Sequence, residues 1–188
     1  VRKKKKKPYT DEELEKLLSK PDMVKFLLGT GVRLSTLSKL KVNDISLDNA
    51  VIDLLHTKNR KQQVIPLSKS LVNILYEYLD IREGAEKDYF FCTIHGSKLA
   101  NSSIKTAIYR YNTRRGVEKT SVHLFRHTFA KKWIMAVGGA FCLQNILGHQ
   151  SMRMVKEYVN LYSKDLKNNF DKYNPLENFN DGGEYIDM

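Results

Sequence analysis

Apolar residues along this chain recur at helical spacing almost throughout, and they alternate with period two in a single stretch, Ile45 to Pro66. A 3.6-residue period lines one face of a helix, whereas a two-residue period lines one face of a strand. That single change of period sets the expected fold class: α+β, mainly α-helical, with one small antiparallel sheet. Within the stretch, Ile45 and Leu47 alternate, Asp48-Asn49 supplies turn chemistry, and Val51 to Leu55 reads as a strand. Val64-Ile65 resumes the pattern before Pro66, which completes a meander of three strands. The segment joining the second and third strands is polar and carries Lys58, Arg60 and Lys61.

The helices are punctuated. Thr10 is placed as an N-cap and Glu13 completes a capping box, after which Leu14, Leu17 and Leu18 mark one face and Pro21 ends the helix. Met23 to Leu28 is a second helix, broken by Gly29 and Gly31. Leu34, Leu37 and Leu40 restart the period, which puts Arg33 at a helix entrance. Ser68 to Arg82 is helical, Tyr89 to Cys92 is a short apolar run, and Ile104, Ile108 and Tyr111 mark a helix opening near Asn101 to Ser103. Phe125, Phe129 and Trp133 form a core-facing stripe before Gly138-Gly139. Leu143, Ile146 and Leu147 mark the next helix, and Gly148 suits its C-terminal stop. Met154, Val155 and Tyr158 belong to a short helix, and Leu166 and Phe170 to a last helix or an extended arm. The expected organisation is a basic linker or tail at residues 1–8, one domain at 9–173, and an acidic, disordered tail at 174–188.

Charge narrows the partners. The formal net charge is +11, and the last fifteen residues carry four acidic and no basic side chains. The excess favours a polyanion such as nucleic acid, although anionic membranes and acidic proteins attract basic chains too. Lys3 to Lys7 is an unbroken basic run, either a solvated tail or a clamp on phosphates. No apolar run approaches the roughly 18 residues of a spanning helix. The two cysteines, Cys92 and Cys142, lie apart among apolar residues, so buried fillers and a reducing, cytoplasmic compartment are expected.

Two segments invite a chemical reading. In His123-Leu124-Phe125-Arg126-His127-Thr128-Phe129, His123 and Arg126 are one helical turn apart. They would emerge at the edge of a cleft, or else form part of a basic, partly exposed helix face. In Leu147-Gly148-His149, the histidine follows a helix-ending glycine, and Tyr158 comes nine residues later. Taken alone, these are a loop histidine and a core tyrosine.

The ordered set says more. Thr30-Gly31-Val32-Arg33, then Lys58 with Val64-Ile65-Pro66-Leu67, then the segment from His123 to Phe129, then Leu147-Gly148-His149 and Tyr158, resemble the tyrosine recombinase, or phage integrase, family from about Thr10 to Tyr162. The resemblance implies a recombinase catalytic domain acting on double-stranded DNA. It matches Arg33 and Arg126 to the family's two arginines, and Lys58 to the lysine of its β-hairpin. It matches His123 and His149 to its two histidines, and Tyr158 to its nucleophile. Tyr158 is favoured over Tyr162 by spacing, and His127 is read as a packed histidine or one that orients a neighbour.

The chemistry needs these residue types. Guanidinium forks match phosphate oxygens and stay charged at any relevant pH. Two arginines with two histidines can stabilise developing charge where a metal would do so elsewhere. A phenol, with an ordinary pKa of about 10, needs a base or a cationic surround. The resemblance gives that proton to His123 and assigns Lys58 to protonate the leaving 5′-oxygen. It implies no metal, nucleotide or other cofactor. Thr36 stands where the family often has a glutamate that braces the first arginine, and Asp44 is the candidate to share that bracing. The resemblance also implies a preceding core-binding domain, for which the chain lacks room, so a shortened chain or a naturally short protein is expected. It implies assembly as a homo-oligomer, a tetramer on DNA, with residues 163–173 packing on a neighbour or docking in cis. A type IB topoisomerase, and a DNA-binding module without catalysis, are the alternatives.

Overall fold

The computed structural model describes residues 7–18, 22–54, 62–82, 85–136, 138–149 and 151–162. Lys58, Arg60 and Lys61, most of the N-terminal basic run, Pro21, Leu55, Leu166 and Phe170 lie outside the described residues, as does the side chain of Tyr162.

Helix α1 (Asp11–Leu18) begins as the sequence predicts. Thr10 N–H donates to Glu13 Oε2 at 2.8 Å, and Glu13 N–H donates back to Thr10 Oγ1 at 3.3 Å. Helix α2 (Asp22–Thr30) runs through Gly29, so only Gly31 breaks it, with φ of +62°. The one-turn helix α3 (Leu34–Leu37) takes Arg33 as its N-cap. It stops before Leu40 because Lys41 N–H is captured by the Asp44 carboxylate at 2.8 Å, opening a 3-10 turn at Val42–Asp44. Asp44 therefore does not brace Arg33.

Strands β1 (Ile45–Ser46), β2 (Val51–Leu54) and β3 (Gln63–Pro66) pair antiparallel in that order, with Ile45 opposite Ile52 and Ile52 opposite Ile65. Ile52 and Ile65 are fully covered while Val64 faces outward, as period two requires. The same alternation turns Gln63 inward beside Ile65.

Helices α4 (Lys69–Arg82), α5 (Asn101–Arg114), α6 (His123–Met135), α7 (Ala140–Leu147) and α8 (Met152–Tyr162) complete the fold. Helix α6 is buried on most of its circumference. Leu124, Phe125, Arg126, Thr128, Ala130 and Ile134 are all covered, a wider face than the expected stripe of Phe125, Phe129 and Trp133. The N-terminal segment docks on it: Tyr9 N–H donates to Thr128 Oγ1 at 3.0 Å, and the Tyr9 ring lies 4.8 Å from Phe125. Met154, Val155 and Tyr158 lie on α8 as the sequence predicts, with Met154 46% exposed and Val155 and Tyr158 buried. Cys142 is exposed and Cys92 half-buried, so neither is a fully buried filler.

Two apolar clusters result. The larger gathers Leu17, Phe26, Leu27, Leu37, Ile52, Ile65, Leu75, Phe90 and Phe125, among others. The smaller consists of Ala130, Ile134, Leu143, Leu147, Val155 and Tyr158. Phe129 and Trp133 pack against both. Arg126 leaves α6 at the seam between them.

Gly31 sits at that seam. A Cβ there would lie 2.8 Å from the Phe129 ring and 3.0 Å from Leu147, on a backbone conformation that L-residues rarely adopt. Gly31→Ala is expected to destabilise the fold by roughly 2–4 kcal/mol, from left-handed strain plus overpacking. Urea unfolding checks this, and an unchanged midpoint would show that the seam yields.

Candidate active site

The site is assembled from chain ends around one buried guanidinium. Arg126 is 3% exposed. Its Nη1 donates to Gly31 O at 2.8 Å, its Nη2 donates to Leu147 O at 2.6 Å, and the same Nη2 lies 2.8 Å from His149 Nε2. Both carbonyls are left free by glycine turns that end α2 and α7, the second through Gly148 with φ of +59°. The guanidinium thus fastens α2, α6 and α7 at one point.

Its partners are neutral. Burying an ion costs several kcal/mol, and three hydrogen bonds to a charged donor, at about 1.5–3 kcal/mol each, are of the same order. The bonds offset desolvation but leave the positive charge uncompensated. Burial, followed by the nearby Arg33, brings the Arg126 pKa down to about 10, so it stays protonated at neutral pH.

His149 is 8% exposed. An arginine can only donate, so His149 Nε2 accepts and Nδ1 carries the ring hydrogen. That Nδ1 is buried and has no hydrogen-bond partner among the described residues. Burial, then Arg126, Arg33 and His123, push the His149 pKa down to about 4. The result is a neutral imidazole with an unused N–H donor beside an uncompensated cation.

Arg33 adds a second, exposed guanidinium, whose Nη2 donates to Gly148 O at 3.3 Å. Two arginines and a histidine donor therefore meet around the Leu147–His149 turn. Gln63 holds that turn to the sheet, donating through Nε2 to Ile146 O at 2.7 Å. This ties the β2–β3 hairpin to the site. His123 stands exposed at the start of α6, its pKa lowered by burial of the ring and by Arg126 and Arg33. A groove of about 640 Å³ opens beside it, lined by Val32, Lys105, Thr106, Tyr109, Thr120 and His123.

Tyr158 projects from α8 into the smaller cluster and is 5% exposed. Its hydroxyl lies 2.9 Å from His127 Nδ1. Its ring is stacked parallel to His149, 6.4 Å between centroids. The arrangement is a cationic, donor-rich cluster with one phenol packed against it, a set of groups suited to an oxyanion.

The family model described as "Phage integrase family" matches residues 9–165. The chain belongs to the phage integrase family. Among curated members it is 29% identical over 161 residues to a tyrosine recombinase of Agathobacter rectalis, a match covering 84% of this chain and 52% of the relative. It is 29% identical over 189 residues to tyrosine recombinase XerA of Pyrococcus furiosus, covering 95% and 65%. The chain thus spans between half and two thirds of the length of these relatives. The crystal structure of a XerA recombinase superposes with a TM-score of 0.79 at 26% identity, over 93% of this chain and 66% of that one. A Tn1549 transposon integrase, solved with a circular intermediate DNA, has the same fold at a TM-score of 0.72 and 22% identity, over 84% and 62%.

Of the six residues that the family resemblance singles out, the fold brings Arg33, Arg126 and His149 together, with His123 at the entrance and Tyr158 at the wall. Lys58 lies outside the described residues. The phenol meets His127 and not His123, the partner expected for it. His127 was legible as the residue one turn beyond His123, on the same helix face; its contact with α8 was not. Gln63 has no local signal.

Acid stability follows from the histidines. His127 and His149 both sit near pKa 4 against an ordinary 6.5. Between those values the unfolded chain takes up protons that the folded chain refuses, so stability falls as pH drops through that window. His149→Gln is expected to lose less melting temperature from pH 6.5 to about 4 than the parent does. Parallel melting curves for the two proteins would contradict this.

Proposed function

We propose that this chain is the catalytic domain of a site-specific DNA recombinase, serving a mobile element or prophage. It cuts and rejoins double-stranded DNA through a 3′-phosphotyrosine intermediate. The observation that carries the reading is the meeting of Arg33, Arg126 and a His149 Nδ1–H without a partner among the described residues around one turn, with the Tyr158 ring stacked on His149. The ligand matched to that set of donors is a scissile phosphate. Its non-bridging oxygens would take the guanidinium donors and the His149 N–H, and would neutralise the charge that the neutral carbonyls leave open.

Tyr158 then attacks phosphorus in line, giving up its phenolic proton to His123, the base that the family resemblance assigns. The P–O5′ bond breaks, the 5′-oxygen leaves as a hydroxyl with a proton from Lys58, and the phosphate remains esterified to the phenol. The ester conserves the bond, so a second 5′-hydroxyl can displace the tyrosine without ATP, and the cationic side chains stand where other enzymes place a metal. Lys105, Thr106 and Thr120 in the groove beside His123 are placed to follow the backbone of the same duplex. Substrate contact would also draw on the net charge of +11, with the strong salt dependence of phosphate binding.

The test is covalent trapping on nicked duplexes. The parent chain should give a DNA-linked protein band that survives denaturation. Tyr158→Phe should lose the band and keep DNA binding, and Arg126→Lys should slow its formation by about a hundredfold or more. A band from Tyr158→Phe would remove Tyr158 from the role.

Assembly on DNA as a homo-oligomer is proposed to use residues 163–173, exchanged between neighbours. Deleting them should abolish higher-order complexes in gel-shift assays while leaving single-protomer binding. Unchanged assembly would rule the exchange out.

A further inference from the structure

Helix α6 turns one stripe toward α8. His127, Ala130 and Ile134 recur on that stripe at helical spacing, and Ala130 and Ile134 pack with Val155 and Tyr158. The apolar part of the contact fixes how far α8 can slide or rotate. The polar part includes a bond between the Tyr158 hydroxyl and His127 Nδ1 at 2.9 Å. The His127 ring also meets His123 edge to face, 4.5 Å between centroids, and lies 5.6 Å from the Tyr158 ring.

The geometry points to His127 as the residue that positions the nucleophile, by accepting the Tyr158 hydrogen bond at Nδ1 and holding the phenol oxygen beside the Arg126–His149 pair. This rests on the strand-cleavage reading above, and adds to it a residue that the six-residue set does not contain.

The physical case is one of acceptors. A phenol is a better donor than a neutral imidazole N–H, and an unprotonated imidazole nitrogen is the better acceptor, so the hydroxyl donates and the ring hydrogen sits on Nε2. The role requires His127 to stay neutral. Burial, then His123 and Arg126, bring its pKa down to about 4, so the acceptor persists across the neutral range. His123 is exposed at the first residue of α6, a full turn farther from the α8 contact. It remains available to the phosphate and the groove.

A positioning role separates from a merely structural one by rescue. Asparagine can present an acceptor oxygen near the place of Nδ1, whereas phenylalanine fills the space with none. On a pool of nicked duplexes of randomised sequence, His127→Phe should form the covalent band about tenfold or more slowly in single turnover, with DNA affinity unchanged. His127→Asn should recover most of the loss. Equal rates in His127→Phe and parent, a faster His127→Phe, or an Asn variant as slow as the Phe variant would each overturn the inference. The faster outcome would make the contact a latch.

Tyr158→Phe, run alongside, tells the two failures apart. A band from it defeats the strand-cleavage reading and this inference with it. Should the parent itself form no band, the imidazole nitrogen spectrum decides. His127 should appear as the Nε2–H tautomer with a hydrogen-bonded Nδ1, and Tyr158→Phe should shift that resonance. An unshifted Nδ1 overturns the contact.

Discussion

A buried guanidinium with no carboxylate partner among the described residues organises this molecule. Arg126 binds two main-chain carbonyls, Gly31 O and Leu147 O, and the ring nitrogen of His149. The two carbonyls stand at the ends of α2 and α7, so one side chain supplies a donor to two helix termini at once. A carboxylate in their place would have cancelled the charge. Carbonyls hold the arginine in position and leave its field open to an anion.

The same choice explains the histidines. A pocket that keeps Arg126 charged, with Arg33 close by, penalises any further positive charge, and burial adds to the penalty. His127 and His149 are therefore neutral, and neutrality gives each ring one donor and one acceptor. Each ring's acceptor nitrogen has its donor inside the fold: His149 Nε2 faces Arg126, and His127 Nδ1 faces Tyr158. Protonating either ring would remove its acceptor, so low pH would disturb the geometry as well as the electrostatics.

Placement of the site at a seam has a mechanical consequence. The larger core fixes α2, α6 and the sheet, and the smaller one fixes α7 and α8 against α6. The phenol belongs to the smaller cluster, whereas Arg33 comes from the edge of the larger one. Distances within the candidate site thus depend on how the two clusters register, and Phe129, Trp133 and the Gln63 bond to the α7 terminus bridge them.

Local chemistry was enough to read the capping box at Thr10, the three-strand meander with its isoleucine pairs, and the helix stop at Gly148, because each depends on neighbours a few residues away. The order of the arginine, histidine and tyrosine motifs was enough to read the family. Periodicity understated α6, since a helix packed between two clusters has no single apolar stripe. It was the packing of α8 on α6 that gave the Tyr158 hydroxyl to His127, and a glutamine 82 residues or more from its partners that anchored the end of α7. Such contacts join residues with no sequence relation, so their energies exist only once the chain has closed on itself.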